Sequence, residues 1–130
     1  MREPRWVPAS AVIAMHAELI REHGGLAGPP RHAALHGALD RPRQLFAYGA
    51  ARDKTLVRLA ACYAFGLARD HCFPDGNKRI ALATLDVFLL MNGKELIAPE
   101  PDAVGAIVSL SAGKTSEADF ATWIGQHVPR

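Results

Sequence analysis

The run of residues 77–91 constrains the fold more than any other part of the chain. Its apolar side chains are spread around the whole circumference of a helix: Ile80, Leu82, Leu85, Val87, Phe88, Leu89, Leu90 and Met91. A helix that is apolar on all sides must be covered by other elements of its domain. The stretch contains Thr84 and Asp86 and is too short to span a bilayer. The pattern therefore predicts a helix at the centre of a globular domain.

Two further helices are predicted before residue 43. Ser10 is a candidate N-cap for the first, and Gly24 is placed to end it. The second should run from about Ala33 to Asp40, and Pro42, which lacks a backbone N–H group, then interrupts it or starts a new turn. Residues 43–53 show no clear period and remain ambiguous.

The rest of the chain adds three helices to the run at 77–91. The third helix of the chain carries one apolar stripe, formed by Leu56, Leu59, Ala60, Tyr63, Ala64 and Leu67. A fifth carries Val104, Ile107, Val108 and Leu110, and a last one opens at Ser116 and Asp119, which resemble a capping box. Alternating strand patterns are nearly absent. These features predict an all-α bundle of about six helices around a buried central helix.

Composition limits the classes of function. The 130 residues are the usual size of one domain, predicted to cover residues 1–130, and 49% of them are hydrophobic. The 15 basic and 13 acidic residues give a net charge of +2, which is too even for a surface that coats nucleic acid. Two cysteines, Cys62 and Cys72, and no visible signal peptide favour a reducing, cytoplasmic setting. Because the net charge is so small, any phosphate binding must come from a local cluster of residues.

Such a cluster stands at the start of the run at 77–91. Its first turn reads Gly76, Asn77, Lys78 and Arg79. Two cations there oppose the helix dipole, whose N-terminal end is already positive. The arrangement is unfavourable unless an anion occupies it, and free backbone N–H groups at a helix start suit a phosphate. These residues are therefore candidate phosphate ligands.

The residues just before this turn supply further chemistry. His71, predicted to end the third helix, can take a proton from a hydroxyl near neutral pH. Asp75 offers a hard oxygen for Mg²⁺, which favours one or two carboxylates together with phosphate oxygens. A base, a metal carboxylate and an anion site within nine residues predict phosphoryl or nucleotidyl transfer.

Each of these residues also has a structural interpretation. Asp75 alone could be an N-cap, His71 alone a residue that satisfies helix-end carbonyls, and Lys78 with Arg79 a solvated turn. Phe73 is predicted to be a core plug. A Cys72 nucleophile is disfavoured, because neighbouring residues on a helix point in different directions. The other histidines lack zinc-site spacing, and a P-loop is excluded because Asn77 separates Gly76 from Lys78.

The motif resembles that of the Fic/Doc superfamily, which reads His-x-Phe-x-Asp/Glu-Gly/Ala-Asn-Gly/Lys-Arg. All its specified positions are present here: His71, Phe73, Asp75, Gly76, Asn77, Lys78 and Arg79. The similarity extends through residues 23–26, 38–42, 60–65 and 88–93. Fic adenylyltransferases have Gly where this chain has Lys78, whereas a Lys resembles the Doc (death-on-curing) toxin branch.

The resemblance implies a fold, an activity and partners. It implies an ATP- and Mg²⁺-dependent protein kinase that phosphorylates a threonine of elongation factor Tu, and a Phd-like antitoxin that places a helix in a surface groove. His71 would be the general base, Asp75 the Mg²⁺ ligand, and Lys78 and Arg79 phosphate clamps. Asn77 would position a phosphate or the motif backbone, and Phe73 would anchor the loop.

Some positions depart from the pattern. Many Doc-like chains have Arg-Asp where this chain has Pro30 and Arg31, and Ile80 stands where Thr is common. Residues 43–55 are the candidate for the flap that presents a target in Fic enzymes. Two alternatives to the kinase stay open: AMP transfer, and a Fic-fold binding module without catalysis.

Overall fold

The computed structural model describes residues 2–129, and within them it contains six α-helices and no strand. The helices are α1 (Ala9–His23), α2 (His32–Tyr48), α3 (Leu56–Arg69), α4 (Asn77–Met91), α5 (Glu100–Ser111) and α6 (Glu117–Gln126). The predicted all-α bundle is therefore confirmed. None of the helices in this part of the chain combines the length and apolar character needed to cross a bilayer.

The central helix of the bundle is α3. It packs against α2, α4, α5 and α6, and its side chains from Leu59 to Ala64 are all buried. Gly66 permits the close approach of α2, because a Cβ there would lie 3.2 Å from the Cβ of Ala38. The apolar stripe predicted for this segment is thus the middle of the core.

The run at 77–91 forms α4, as predicted, but it lies beside α3 and is not enclosed on all sides. Ile80, Leu85 and Phe88 are fully buried against the core. Leu90, on another face, is 52% exposed, and Leu82 is only partly covered. The prediction of a helix buried all round is wrong in this respect, because part of its apolar surface lines a groove between α1, α4 and α5.

Two predicted helix limits are also wrong. Ser10 lies inside α1, whose N-cap is Pro8. α2 continues through Pro42 to Tyr48, because burial of Pro42 and of the flanking apolar residues outweighs the one hydrogen bond that a proline removes. Residues 43–55 accordingly contain the end of α2 and a short 3-10 turn, Ala51–Asp53. The caps at Gly24 and Ser116 are confirmed.

Candidate active site

Residues 70–76 form the loop between α3 and α4. Together with the first turn of α4 it lines a cavity of about 460 Å³. His71, Asp75, Gly76, Asn77, Lys78 and Arg79 all border this cavity. The structure thus brings the candidate base, the candidate metal carboxylate and the candidate phosphate ligands to one place.

The start of α4 is open toward this cavity. Gly76 precedes the helix with a left-handed backbone (φ 75°), which glycine adopts without a steric penalty. The backbone N–H groups of Asn77, Lys78 and Arg79 have no acceptor among residues 2–129. The Lys78 and Arg79 side chains are exposed, and Arg79 donates to the carbonyl of Gly24 at the end of α1. Free N–H groups and two cations therefore face the same space.

Asn77 serves the loop itself. Its side-chain oxygen accepts the N–H of Phe73 at 3.0 Å, and its amide group donates to the Phe73 carbonyl at 3.0 Å. Phe73 is buried, with its ring stacked on that of His16 at 3.8 Å between centroids. The Asn77 side chain is thus engaged with the motif backbone, and its N–H group remains for a ligand.

The Asp75 carboxylate is exposed and held by the backbone. Leu26 N–H donates to one of its oxygens at 3.0 Å, and Gly76 N–H to the other at 2.8 Å. These bonds, first that from Leu26 and then that from Gly76, lower the pKa of Asp75 below its usual value, with Arg79 adding to the effect. The group is therefore an ionised, oriented carboxylate with lone pairs left over.

This carboxylate fits Mg²⁺ chemistry. No group of three or more His, Cys, Asp or Glu residues among residues 2–129 could cage a metal ion. Mg²⁺ does not need such a cage, since it commonly binds one or two carboxylates, several waters and the phosphates of its substrate. An oriented Asp75 beside the open start of α4 would supply the protein ligand of such a set.

His71 lies in the loop, two residues beyond the end of α3 at Arg69, so the prediction that it ends the third helix is wrong. It is exposed and has φ 50°, the only positive φ of a non-glycine residue in the described chain. Such a conformation costs on the order of 1–3 kcal/mol and persists where the surroundings hold it. No side-chain hydrogen bond of His71 occurs within residues 2–129, which leaves the imidazole free to meet a substrate.

Cys72 is buried and does not line the cavity. Burial raises the pKa of its thiol to about 11. A thiol in that state is not a nucleophile near neutral pH. The structure therefore supports the exclusion of a Cys72 nucleophile, although the reason is burial of a loop residue and not divergence on a helix.

Two residues of the site were not singled out as such by the sequence. His16, on α1, is buried, and its Nε2 lies 2.7 Å from the Asp75 carbonyl oxygen. Arg31 donates from its guanidinium to the carbonyls of Asp70 and His71, and its N–H bonds the Cys72 carbonyl. The only sequence signal was the departure at Pro30–Arg31 from the Doc-like pattern.

The all-helical bundle and the motif loop immediately before α4 agree with what comparison with known proteins shows. Residues 6–89 match the model of the Fic/DOC family. The chain belongs to this family. Over 117 residues, 90% of each chain, it is 30% identical to the protein kinase doc of Escherichia phage P1.

Proposed function

We propose that the protein is a Doc-type toxin that transfers the γ-phosphoryl group of ATP to a hydroxyl of a translation factor. The observation that carries this proposal is Lys78 within an otherwise complete motif that borders one cavity. The likeness to a protein kinase supports it. We expect the protein to act in the cytoplasm, with elongation factor Tu as target and its threonine as acceptor.

His71 would begin the reaction by taking the proton of the acceptor hydroxyl. The hydroxyl oxygen then forms a bond to the γ-phosphorus, the bond from that phosphorus to the bridging β–γ oxygen breaks, and ADP leaves. Lys78, Arg79 and the free N–H groups of α4 would stabilise the negative charge on the phosphate oxygens. Asp75 would hold Mg²⁺, which supplies charge neutralisation and orients the phosphates.

The direction of the nucleotide decides between phosphoryl and AMP transfer. In the Fic pattern the glycine at position 78 leaves room for a second group of phosphates. This chain has Lys78 at that position, and Lys78 borders both the motif cavity and the groove between α1, α4 and α5. The second candidate function, AMP transfer, rests on the rest of the motif, which both reactions share.

Labelled ATP distinguishes the two reactions. We expect elongation factor Tu incubated with the protein, Mg²⁺ and ATP to gain label from the γ position and none from the α position. A Lys78→Gly variant tests the role assigned to the lysine, and should lose γ transfer. Label from the α position alone with the unmodified protein would replace the kinase by an AMP transferase.

A groove of about 670 Å³ is the proposed site of the antitoxin. Its walls are apolar, with Leu19 from α1, Leu82 from α4 and Ile107 from α5. Val104 and Val108 stand on its rim, each 45% exposed. One end is bordered by Lys78 and Arg79. An amphipathic helix of a Phd-like partner would cover this surface and reach the phosphate site.

Asp86 lies in the same groove, where its ionised carboxylate is unfavourable in the free protein. Burial, followed by the charge of Glu95, raises its pKa. A carboxyl with a raised folded-state pKa is a stabilising group only in its protonated form, so its ionisation destabilises the fold as pH rises. We expect Asp86→Asn to raise Tm at pH 7 and to lose this advantage at about pH 3. Thermal unfolding at both pH values measures it, with Asp40→Asn on the exposed surface of α2 as control.

Equal Tm of Asp86→Asn and the unmodified protein at pH 7 would contradict this account. In the proposed complex the same carboxylate would pair with a basic residue of the partner helix, so the substitution should weaken partner binding while it stabilises the free protein.

A further inference from the structure

We propose that His16 and Arg31, both outside the motif, are positioning residues that hold the two ends of the motif loop separately. Arg31 would fix the backbone that carries His71, and His16 would fix the backbone that carries Asp75. The inference rests on the proposed function only in the roles assigned to His71 and Asp75. The geometry of the loop can be tested without it.

The carbonyls of the loop are nearly all taken by donors. Arg31 Nε lies 3.0 Å from the His71 carbonyl oxygen, its Nη2 bonds that of Asp70, and its N–H bonds that of Cys72 at 2.7 Å. Asn77 takes the Phe73 carbonyl and His16 that of Asp75. Because these carbonyl oxygens are bonded to protein donors, their negative ends are turned toward those donors. An anion at the N–H groups of α4 would therefore not be repelled by them.

Arg31 acts on the strained end of the loop. The two carbonyls that its guanidinium binds belong to the peptide groups on either side of the His71 Cα. A non-glycine residue with φ 50° tends to relax to a negative φ unless both flanking peptides are held. Such a relaxation would swing the imidazole away from its present direction. Arg31 is well placed for this task because it stands at the N-cap of α2, which packs directly on α3.

His16 acts on the other end. Its partner is a carbonyl oxygen, which can only accept, so Nε2 must carry the proton. The ring is 3% exposed and stacked on Phe73, so burial and this stack hold it in place. It also lies against Gly76, where a Cβ would come within 3.5 Å of Nε2. The hydrogen bond therefore fixes the position of the Asp75 backbone, and with it the position of the carboxylate relative to the N–H groups of Leu26 and Gly76.

The two roles predict effects on different reporters. The amides of Leu26 and Gly76 donate to the Asp75 carboxylate, so their hydrogen-exchange rates report its position. The Cα and Cβ chemical shifts of His71 report its backbone conformation. We expect His16→Phe, which keeps the stack and removes the donor, to speed exchange of both amides about 10-fold or more. The His71 shifts should stay unchanged.

For Arg31→Ala we expect the reverse. The His71 shifts should move toward those of a residue with negative φ, and exchange of the Leu26 and Gly76 amides should stay unchanged. His16→Gln returns a donor near the position of Nε2 and should restore slow exchange. Arg31→Lys lacks the planar guanidinium that bonds two carbonyls at once, so the His71 shifts should remain close to those of Arg31→Ala. Arg21→Ala removes an exposed arginine of α1 and is the matched control.

Kinetics supply the link to function. At saturating Mg²⁺, Arg31→Ala should lower kcat by about 10²-fold, as expected for a displaced catalytic group. His16→Phe should raise the Mg²⁺ concentration needed for half-maximal rate by about 10–100-fold.

If both variants move both reporters alike, or neither moves its own, separate positioning is wrong. If His16→Phe does not fold, His16→Met is the second variant without a donor. If the unmodified protein transfers no phosphoryl group, the proposed function fails, and the exchange and shift data still decide the positioning.

Discussion

Replacing His71 by alanine should lower γ-phosphoryl transfer by about 10²–10⁴-fold, the usual cost of removing a general base. The side chain is exposed and makes no hydrogen bond within residues 2–129, so the fold should tolerate its loss. Alanine at φ 50° adds some backbone strain of its own. His71→Asn removes that ambiguity, because asparagine tolerates the left-handed region and cannot act as a base. Initial rates with γ-labelled ATP measure both variants.

His36→Ala is the matched control, since His36 is an exposed histidine of α2 and does not line the cavity. It should retain full activity. Growth inhibition on expression gives a second measurement, and both His71 variants should be strongly attenuated. Undiminished toxicity of folded His71→Asn would contradict catalysis by His71 and support the alternative of a binding module.

The sequence predicted the elements whose signals are local. The limits of α4 follow from Gly76 before it and Gly93 after it, and the Ser116 cap is confirmed by its bond to the Asp119 N–H. The path of α2 through Pro42 was not predictable in this way, because the packing that compensates the proline comes from distant residues. The same applies to the choice of central helix. Small residues of α3 allow close neighbours, which hydrophobicity alone does not reveal.

The candidate site shows the same division. The motif residues are adjacent in sequence, so their meeting at one cavity follows from a single loop and helix start. His16 is 59 residues from the carbonyl that it binds, and Arg31 is 40 residues from His71. No spacing rule links such pairs in a single sequence. Their roles become visible only when α1 and the start of α2 are placed beside the loop.

Gly25→Ala should be nearly as damaging as loss of the base, although the residue carries no chemistry. A Cβ at this position would lie 2.8 Å from an Asp75 carboxylate oxygen and 3.1 Å from Ile20 Cδ1. The carboxylate would have to move and give up its bond from Leu26 N–H. Since displacement of a catalytic group by about 1 Å can cost 10²-fold, we expect a loss of at least that order in the Mg²⁺-dependent rate.

Gly24→Ala separates the contact from the strain of the backbone. Both glycines have positive φ, 78° at Gly24 and 120° at Gly25, so each substitution should destabilise the fold by about 1–3 kcal/mol. A Cβ on Gly24 meets no atom within 4 Å. Gly24→Ala should therefore lower Tm and keep most of the activity, whereas Gly25→Ala should lose both. Equal loss of activity in the two variants, measured at a temperature where both are folded, would show that strain in the 24–25 turn matters and that the contact with Asp75 does not. Full activity of Gly25→Ala would remove the reason for assigning the metal to an Asp75 fixed in this position.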